Sequence, residues 1–161
     1  MDGRRRKWWP RIAYVALGVL VALQLVPYGR NHTNPPVTGE PPWDVPETRV
    51  LAKMACFDCH SNETEWPLYS SVAPVSWLVQ YDVDEGRAAL NFSEWSPPQK
   101  EAKDAPDEVM EGEMPPAVYT LMHAHARLSD ADRDRLAEGL ARTVGVELAG
   151  QPGSDGRTSG Q

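Results

Sequence analysis

The chain has 161 residues, 16 Lys and Arg against 23 Asp and Glu, a net charge of −7, and two cysteines. Five of the basic residues precede Ile12, where Asp2 is the only acid, so the remainder is strongly acidic and has no basic patch for nucleic acid.

Arg4, Arg5, Arg6 and Lys7 precede an apolar stretch from Ile12 to Val26, with Trp8, Trp9 and Tyr28 at its two ends. A bilayer core takes about 20 apolar residues, and residues 8–28 reach that length if Arg11 snorkels to the interface. No small-x-small cleavage site follows, because the stretch closes Leu25-Val26-Pro27-Tyr28-Gly29-Arg30. The expectation is a retained transmembrane helix over 8–28, with residues 1–7 as a cytoplasmic basic end. Everything after Arg30 is then placed on the periplasmic side of the cytoplasmic membrane. Residues 29–46 hold Pro35, Pro36, Pro41, Pro42 and Pro46, and read as an extended linker in which His32 is solvated.

A helix is expected to open at Pro46-Glu47, since proline suits a first turn and Val50, Leu51 and Met54 fall at helical spacing. Met54 reads as core. Cys56-Phe57-Asp58-Cys59-His60 follows at once, and this spacing is the attachment signature of a c-type haem. Each thiol would add to a haem vinyl group as a thioether, and the adjacent imidazole would be delivered to the iron. Two other uses of the pair fit less well. A thioredoxin-like redox pair needs a βαβ setting, whereas the flanks show no run of β-branched residues. A zinc site needs four ligands, and the later His123 and His125 stand one residue apart rather than the usual three to five. One covalent haem c, with its iron, is the expected cofactor.

A second helix is expected from Pro74, with Trp77, Leu78, Tyr81, Ala88 and Leu90 on its apolar face and Gly86 as a weak point. A short third runs from Gln99 to Glu111. The clearest is Asp130 to Val144, with Ser129 as N-cap, Leu136, Leu140 and Val144 as its buried stripe, and Gly145 as its stop. No alternating strand pattern appears, so the fold class is all-α. The haem-binding domain is placed at 47–148, and the Gly/Ser-rich tail, 149–161, is expected to be disordered. Asn31, Asn62 and Asn91 each begin an Asn-x-Ser/Thr triplet, which we read as coincidence.

The second axial ligand is expected to be Met114, in Gly112-Glu113-Met114-Pro115-Pro116, because a residue before proline is driven into an extended loop. Such a methionine can present its thioether to iron. Met110 and Met122 read as core filler. His123 and His125 are the rival ligands, and an open site is the remaining choice.

The runs His60-Ser61-Asn62, Trp66-Pro67, Tyr69-Ser70, Ala73-Pro74-Val75-Ser76-Trp77, Asp82-Val83, Glu85-Gly86-Arg87 and Leu90-Asn91-Phe92-Ser93 resemble the bacterial haem-binding domain family of monohaem c-type cytochromes. So do Gly112-Glu113-Met114-Pro115-Pro116, Tyr119, His123 and Leu128-Ser129, with Ala124 standing where proline is expected. The resemblance covers Val50 to Val144. It implies a cytochrome c-like helical fold, covalent haem at Cys56 and Cys59, His60 as the proximal ligand and Met114 as the distal one.

A ligating imidazole needs an acceptor for its other N–H, for which the Pro74 carbonyl is the candidate. The haem propionates need donors, for which Tyr69, Trp77, Trp95 and above all Arg87 are candidates, while Asp82, Asp84 and Glu85 read as a solvated face. The functional expectation is a membrane-tethered electron carrier, rather than an enzyme, that meets basic redox partners. The alternative is a peroxidase-like enzyme or gas sensor whose distal side opens beside His123 or His125.

Overall fold

Proline and glycine punctuate this chain, and the helices lie between them. In the computed structural model, which describes residues 8–96 and 98–149, every regular element is helical. These are α1 (Trp9–Leu23), α2 (Pro46–Ala55), α3 (Phe57–His60), α4 (Val75–Ala89), α5 (Ala105–Glu111), α6 (Ala117–Met122) and α7 (Asp130–Val144). Short 3-10 turns at Leu68–Ser71 and Ala124–Ala126 join them. Pro46 is the first residue of α2, as its fixed φ and missing N–H allow. Ser129 accepts the Asp132 N–H at the start of α7, and Gly145, at φ +74°, ends it in the left-handed conformation.

The core lies between α2, α5 and α7, where Leu51, Ala52 and Ala55 meet Val109, Leu136, Ala137 and Leu140. Phe57 carries this core into α3. Its ring stacks on Phe92 at 5.6 Å between centroids, and Phe92 in turn stacks on Trp95 at 6.2 Å. Helix α7 also passes close to α2, since a side chain at Gly139 would collide with Thr48.

The expected transmembrane anchor finds no support among the described residues. Helix α1 has 15 residues, and among the described residues no helix is long and apolar enough to cross a membrane. The apolar run is broken by Gln24, whose amide caps α1 and then exchanges two hydrogen bonds with the backbone of Ala73, at 2.9 and 3.1 Å. Tyr28 turns back as well, donating to Asp84 at 3.3 Å. The single-pass location in the cytoplasmic membrane therefore loses its basis. Residues 1–7, expected to be a basic cytoplasmic end, lie outside the described residues, as does the tail from Gly150.

The proline-rich stretch is laid over the domain instead of extending from it. Thr38 and Gly39 donate to the Ser93 carbonyl, and Trp95 donates to the Gly39 carbonyl at 3.0 Å. Glu40 takes a two-pronged hydrogen bond from Arg49, both arms 2.6 Å, which fastens the strap to α2. His32 stacks on Trp66 at 4.8 Å, so it is not simply solvated.

Helix α4 forms as expected but turns the opposite way. Ser76, Val83 and Gly86 are buried, whereas Leu78 and Tyr81 are exposed. Small residues face inward because α3 packs directly against this side: a Cβ at Gly86 would lie 2.5 Å from the Cys59 carbonyl oxygen. Met54 and Val50 are likewise exposed, not core.

In an open helix interior Gly→Ala gains about 1 kcal/mol. At Gly86 the obstacle is backbone, which cannot rotate away, so Gly86→Ala is expected to destabilise the protein by about 1–3 kcal/mol. A thermal melt that rises with this substitution would refute the close packing of α3 on α4.

Candidate functional site

One turn of helix assembles the motif Cys56 to His60. Cys56 caps α3, and its carbonyl accepts the N–H of both Cys59 and His60, at 3.2 and 2.9 Å. Residues spaced i, i+3 and i+4 share a helix face, so both thiols and the imidazole emerge on one side. Ser61 then breaks into extended backbone, and its hydroxyl donates to the Phe57 carbonyl at 2.7 Å, tying the turn closed behind the motif.

The imidazole is oriented by the end of α4. His60 Nδ1 lies 2.9 Å from the Gly86 carbonyl oxygen and 3.2 Å from that of Leu90. Carbonyls only accept, so Nδ1 carries the proton and Nε2 keeps its lone pair. Burial pushes the His60 pKa below its ordinary value, which favours the neutral ring that a metal requires. The Pro74 carbonyl, expected to be this acceptor, instead takes the Trp77 N–H at 3.1 Å as α4 begins.

Two adjoining clefts, of about 370 and 410 Å³, share Cys56, His60, Glu101 and Met114 in their walls. Those volumes fall in the range of small-molecule and cofactor sites. Cys59 lines the second, together with Tyr119 and the Pro115-Pro116 pair. Leu90, Phe92, Val109 and Leu140 supply apolar wall to the first. Both thiols are free, and burial pushes each up to about 12, the opposite of the lowered values of redox-active thiolates.

Met114 is half-buried and packs on the edge of the core. Gly112, at φ +79°, ends α5 and reverses the chain, so that the Glu113 and Met114 N–H groups both bond to the Glu108 carbonyl, at 3.0 and 3.1 Å. His123, a rival ligand in the sequence, has both ring nitrogens engaged: Nδ1 with the Tyr119 carbonyl and Nε2 with the Tyr69 hydroxyl, each at 3.1 Å. His125 lines a separate pocket with Lys53 and Glu63.

Arg87, expected at the propionates, points its guanidinium elsewhere. Its four hydrogen bonds go to the Ser61 and Thr33 carbonyls, Asn34 Oδ1 and Thr64 Oγ1, at 2.7 to 3.1 Å. Tyr69 is bonded to His123, and Trp95 is stacked on Phe92. The Trp77 indole N–H is buried with no hydrogen-bond partner among the described residues. The walls of both clefts hold Asp58, Asp82, Glu85, Glu101, Asp104 and Glu108 but neither Lys nor Arg.

A buried amide network behind the motif went unread in the sequence. Asn91 donates to Asn62 Oδ1 at 2.9 Å and accepts the Ser93 N–H at 2.9 Å, while the Asn62 N–H donates to Ser93 Oγ at 3.0 Å. The Phe92 N–H then donates to the His60 carbonyl at 2.8 Å. The triplets dismissed at Asn62 and Asn91 are thus buried structural groups, and only their recurrence beside the motif residues could have signalled it.

A family model described as a haem-binding domain matches residues 18–142, well over half of the chain. No curated protein and no solved structure matches it.

Lysine in place of Arg87 keeps the charge but loses the planar fork, leaving several acceptors unmatched. Arg87→Lys should therefore lower stability by about 1–3 kcal/mol while the protein retains its haem and its absorption spectrum. Loss of haem at unchanged stability would return Arg87 to the propionates.

Proposed function

The chain belongs to the haem-binding domain family, and from that premise we propose that it is a monohaem c-type electron-transfer protein. The observation that carries this reading is the meeting of Cys56, Cys59, His60 and Met114 in the walls of two adjoining clefts. The donor set fits the cofactor: two neutral thiols on one helix face, an imidazole with a free Nε2, and a soft thioether on a separate loop. When bound, haem supplies a one-electron couple between ferrous and ferric iron.

The chain's own residues do the rest. Cys56 and Cys59 would hold the macrocycle through thioethers, and His60 would present to the iron its Nε2, in the tautomer that Gly86 and Leu90 enforce. Met114 would supply the second iron ligand, a soft sulfur that favours the ferrous state and would leave no coordination site for a substrate. The alternative, an opening distal side served by a histidine base, finds no support in the geometry. His123 has no free nitrogen, and His125 faces another pocket. The carboxylates in the cleft walls favour a basic redox partner, whose association would weaken as salt is added.

Acidified organic solvent should leave the haem on the wild-type polypeptide and strip it from a Cys56→Ser, Cys59→Ser variant; haem extracted from the wild type would sink the covalent attachment. The ferric wild type should show the weak red-end absorption band of sulfur-ligated haem, and Met114→Ala should lose it and bind carbon monoxide when reduced. A band that survives in the variant would exclude Met114 as ligand.

A further inference from the structure

Helix α6 follows Met114 after two prolines, and little apolar packing holds it in place. It buries no residue, and Val118, Leu121 and Met122 are 67, 70 and 62% exposed. The only regular element it packs against, among the described residues, is the 3-10 turn Ala124–Ala126 that follows it. Yet a methionine has three flexible bonds and no fixed direction of its own, so its sulfur is aimed only as well as its backbone is held.

Tyr119 supplies the missing link. Its hydroxyl donates to Asp58 Oδ2 at 2.6 Å, and Asp58 lies between the two cysteines of the attachment turn. Asp58 is itself fixed, since Oδ1 accepts the Glu65 N–H at 2.9 Å and its backbone carbonyl accepts the Thr64 hydroxyl at 2.7 Å. From the other side, His123 stacks on the Tyr119 ring at 4.1 Å and bonds to the Tyr119 carbonyl, while the Tyr69 hydroxyl steadies His123. Burial and the Asp58 carboxylate both raise the Tyr119 pKa, so the phenol remains a donor across the physiological range.

We propose that Tyr119 is a positioning residue for the axial methionine: its hydrogen bond to Asp58 clamps the start of α6 onto the haem-attachment turn and thereby holds Met114 against the iron site. This rests on the assignment of Met114 as axial ligand. Without the clamp, α6 and the Pro115-Pro116 segment are held by the Glu108 carbonyl on one side and by the Tyr69–His123 bond on the other, neither of which ties them to the attachment turn, and the open, methionine-off state gains population.

The test uses the haem-loaded full chain, compared as wild type, Met114→Ala, Tyr119→Phe, Asp58→Asn and Asp58→Ala. Tyr119→Phe should keep its haem and helical circular dichroism, lose at least half of the red-end band, and bind carbon monoxide in the ferrous form about tenfold more tightly, as a rise in the competent fraction requires. Asp58→Ala should behave the same, and Asp58→Asn, whose one amide oxygen can accept from Tyr119 or from the Glu65 N–H but not from both, should fall between wild type and Asp58→Ala. A band lost in Met114→Ala but intact in both Tyr119→Phe and Asp58→Ala overturns the clamp alone, even where the melting temperature falls. A wild type without the band, or a band unaltered in Met114→Ala, overturns the ligand assignment first and the clamp with it.

Discussion

The hydrogen bond from His60 Nδ1 into the end of α4 is the constraint on which the rest of the domain depends. The carbonyls at the C-terminal end of α4 point out of the helix, and there the imidazole is shared between the Gly86 carbonyl, which also accepts the Leu90 N–H, and the carbonyl of Leu90, the residue that follows the helix. The negative end of the helix makes the ring more basic at Nε2 while burial keeps it neutral, which suits it to iron rather than to acid–base work. For the bond to form, α3 must lie almost in contact with α4, and only a residue without a side chain permits that. Gly86 therefore does two things: it clears space for the Cys59 backbone and offers its carbonyl to the next residue along.

That approach turns α4 over and buries polar backbone in the loops that leave α3 and α4. Buried polar groups are tolerable only where they are paired. Ser61, Asn62, Asn91 and Ser93 pair with one another or with backbone, and Arg87 gathers the Ser61 carbonyl together with the strap at Thr33 and Asn34. The strap is thus part of the site's support, and it closes the side of the motif away from the cleft. A small core gains rigidity from such networks, because each member is fixed by at least one neighbour.

What was legible in the sequence was local. Pro46, Ser129 and Gly145 mark helix ends by mechanisms that need no tertiary context, and the attachment motif sits on one turn, where its spacing puts both thiols and the imidazole on one face. What failed were several inferences that needed a neighbour, although Met114 does share the clefts with Cys56 and His60. Periodicity found α4 but picked its large apolar face, because the decisive contact is made by a glycine. Apolar composition made residues 8–28 read as a membrane span, yet one glutamine that bonds to Ala73 ends the helix early. Pro74 and Arg87 have the right chemistry for the roles assigned to them, but the chain spends them on starting α4 and on fastening the strap. Tyr119 carries part of the family resemblance and Asp58 stands inside the motif, but nothing in the sequence paired them, since a tyrosine and an aspartate 61 residues apart are unremarkable until folding joins them.

The charges around the cleft bear on what the ligands can achieve. Thioether ligation by itself favours ferrous iron. Six carboxylates in the cleft walls, with no Lys or Arg among them, act in the other direction, because negative charge stabilises the more positive ferric state. With the ligation proposed above, the reduction potential is set by a contest between a soft ligand and an acidic wall rather than by the ligand alone. The same carboxylates would offer no counter-charge to buried propionates, which in the ligation proposed above would favour the solvent edge of the cleft. A negative rim at that edge is also where a basic partner would approach, and its docking would offset part of the local field. If such a partner docks, its binding and reduction would be linked by electrostatics: a cation brought to the rim would ease the electron inward.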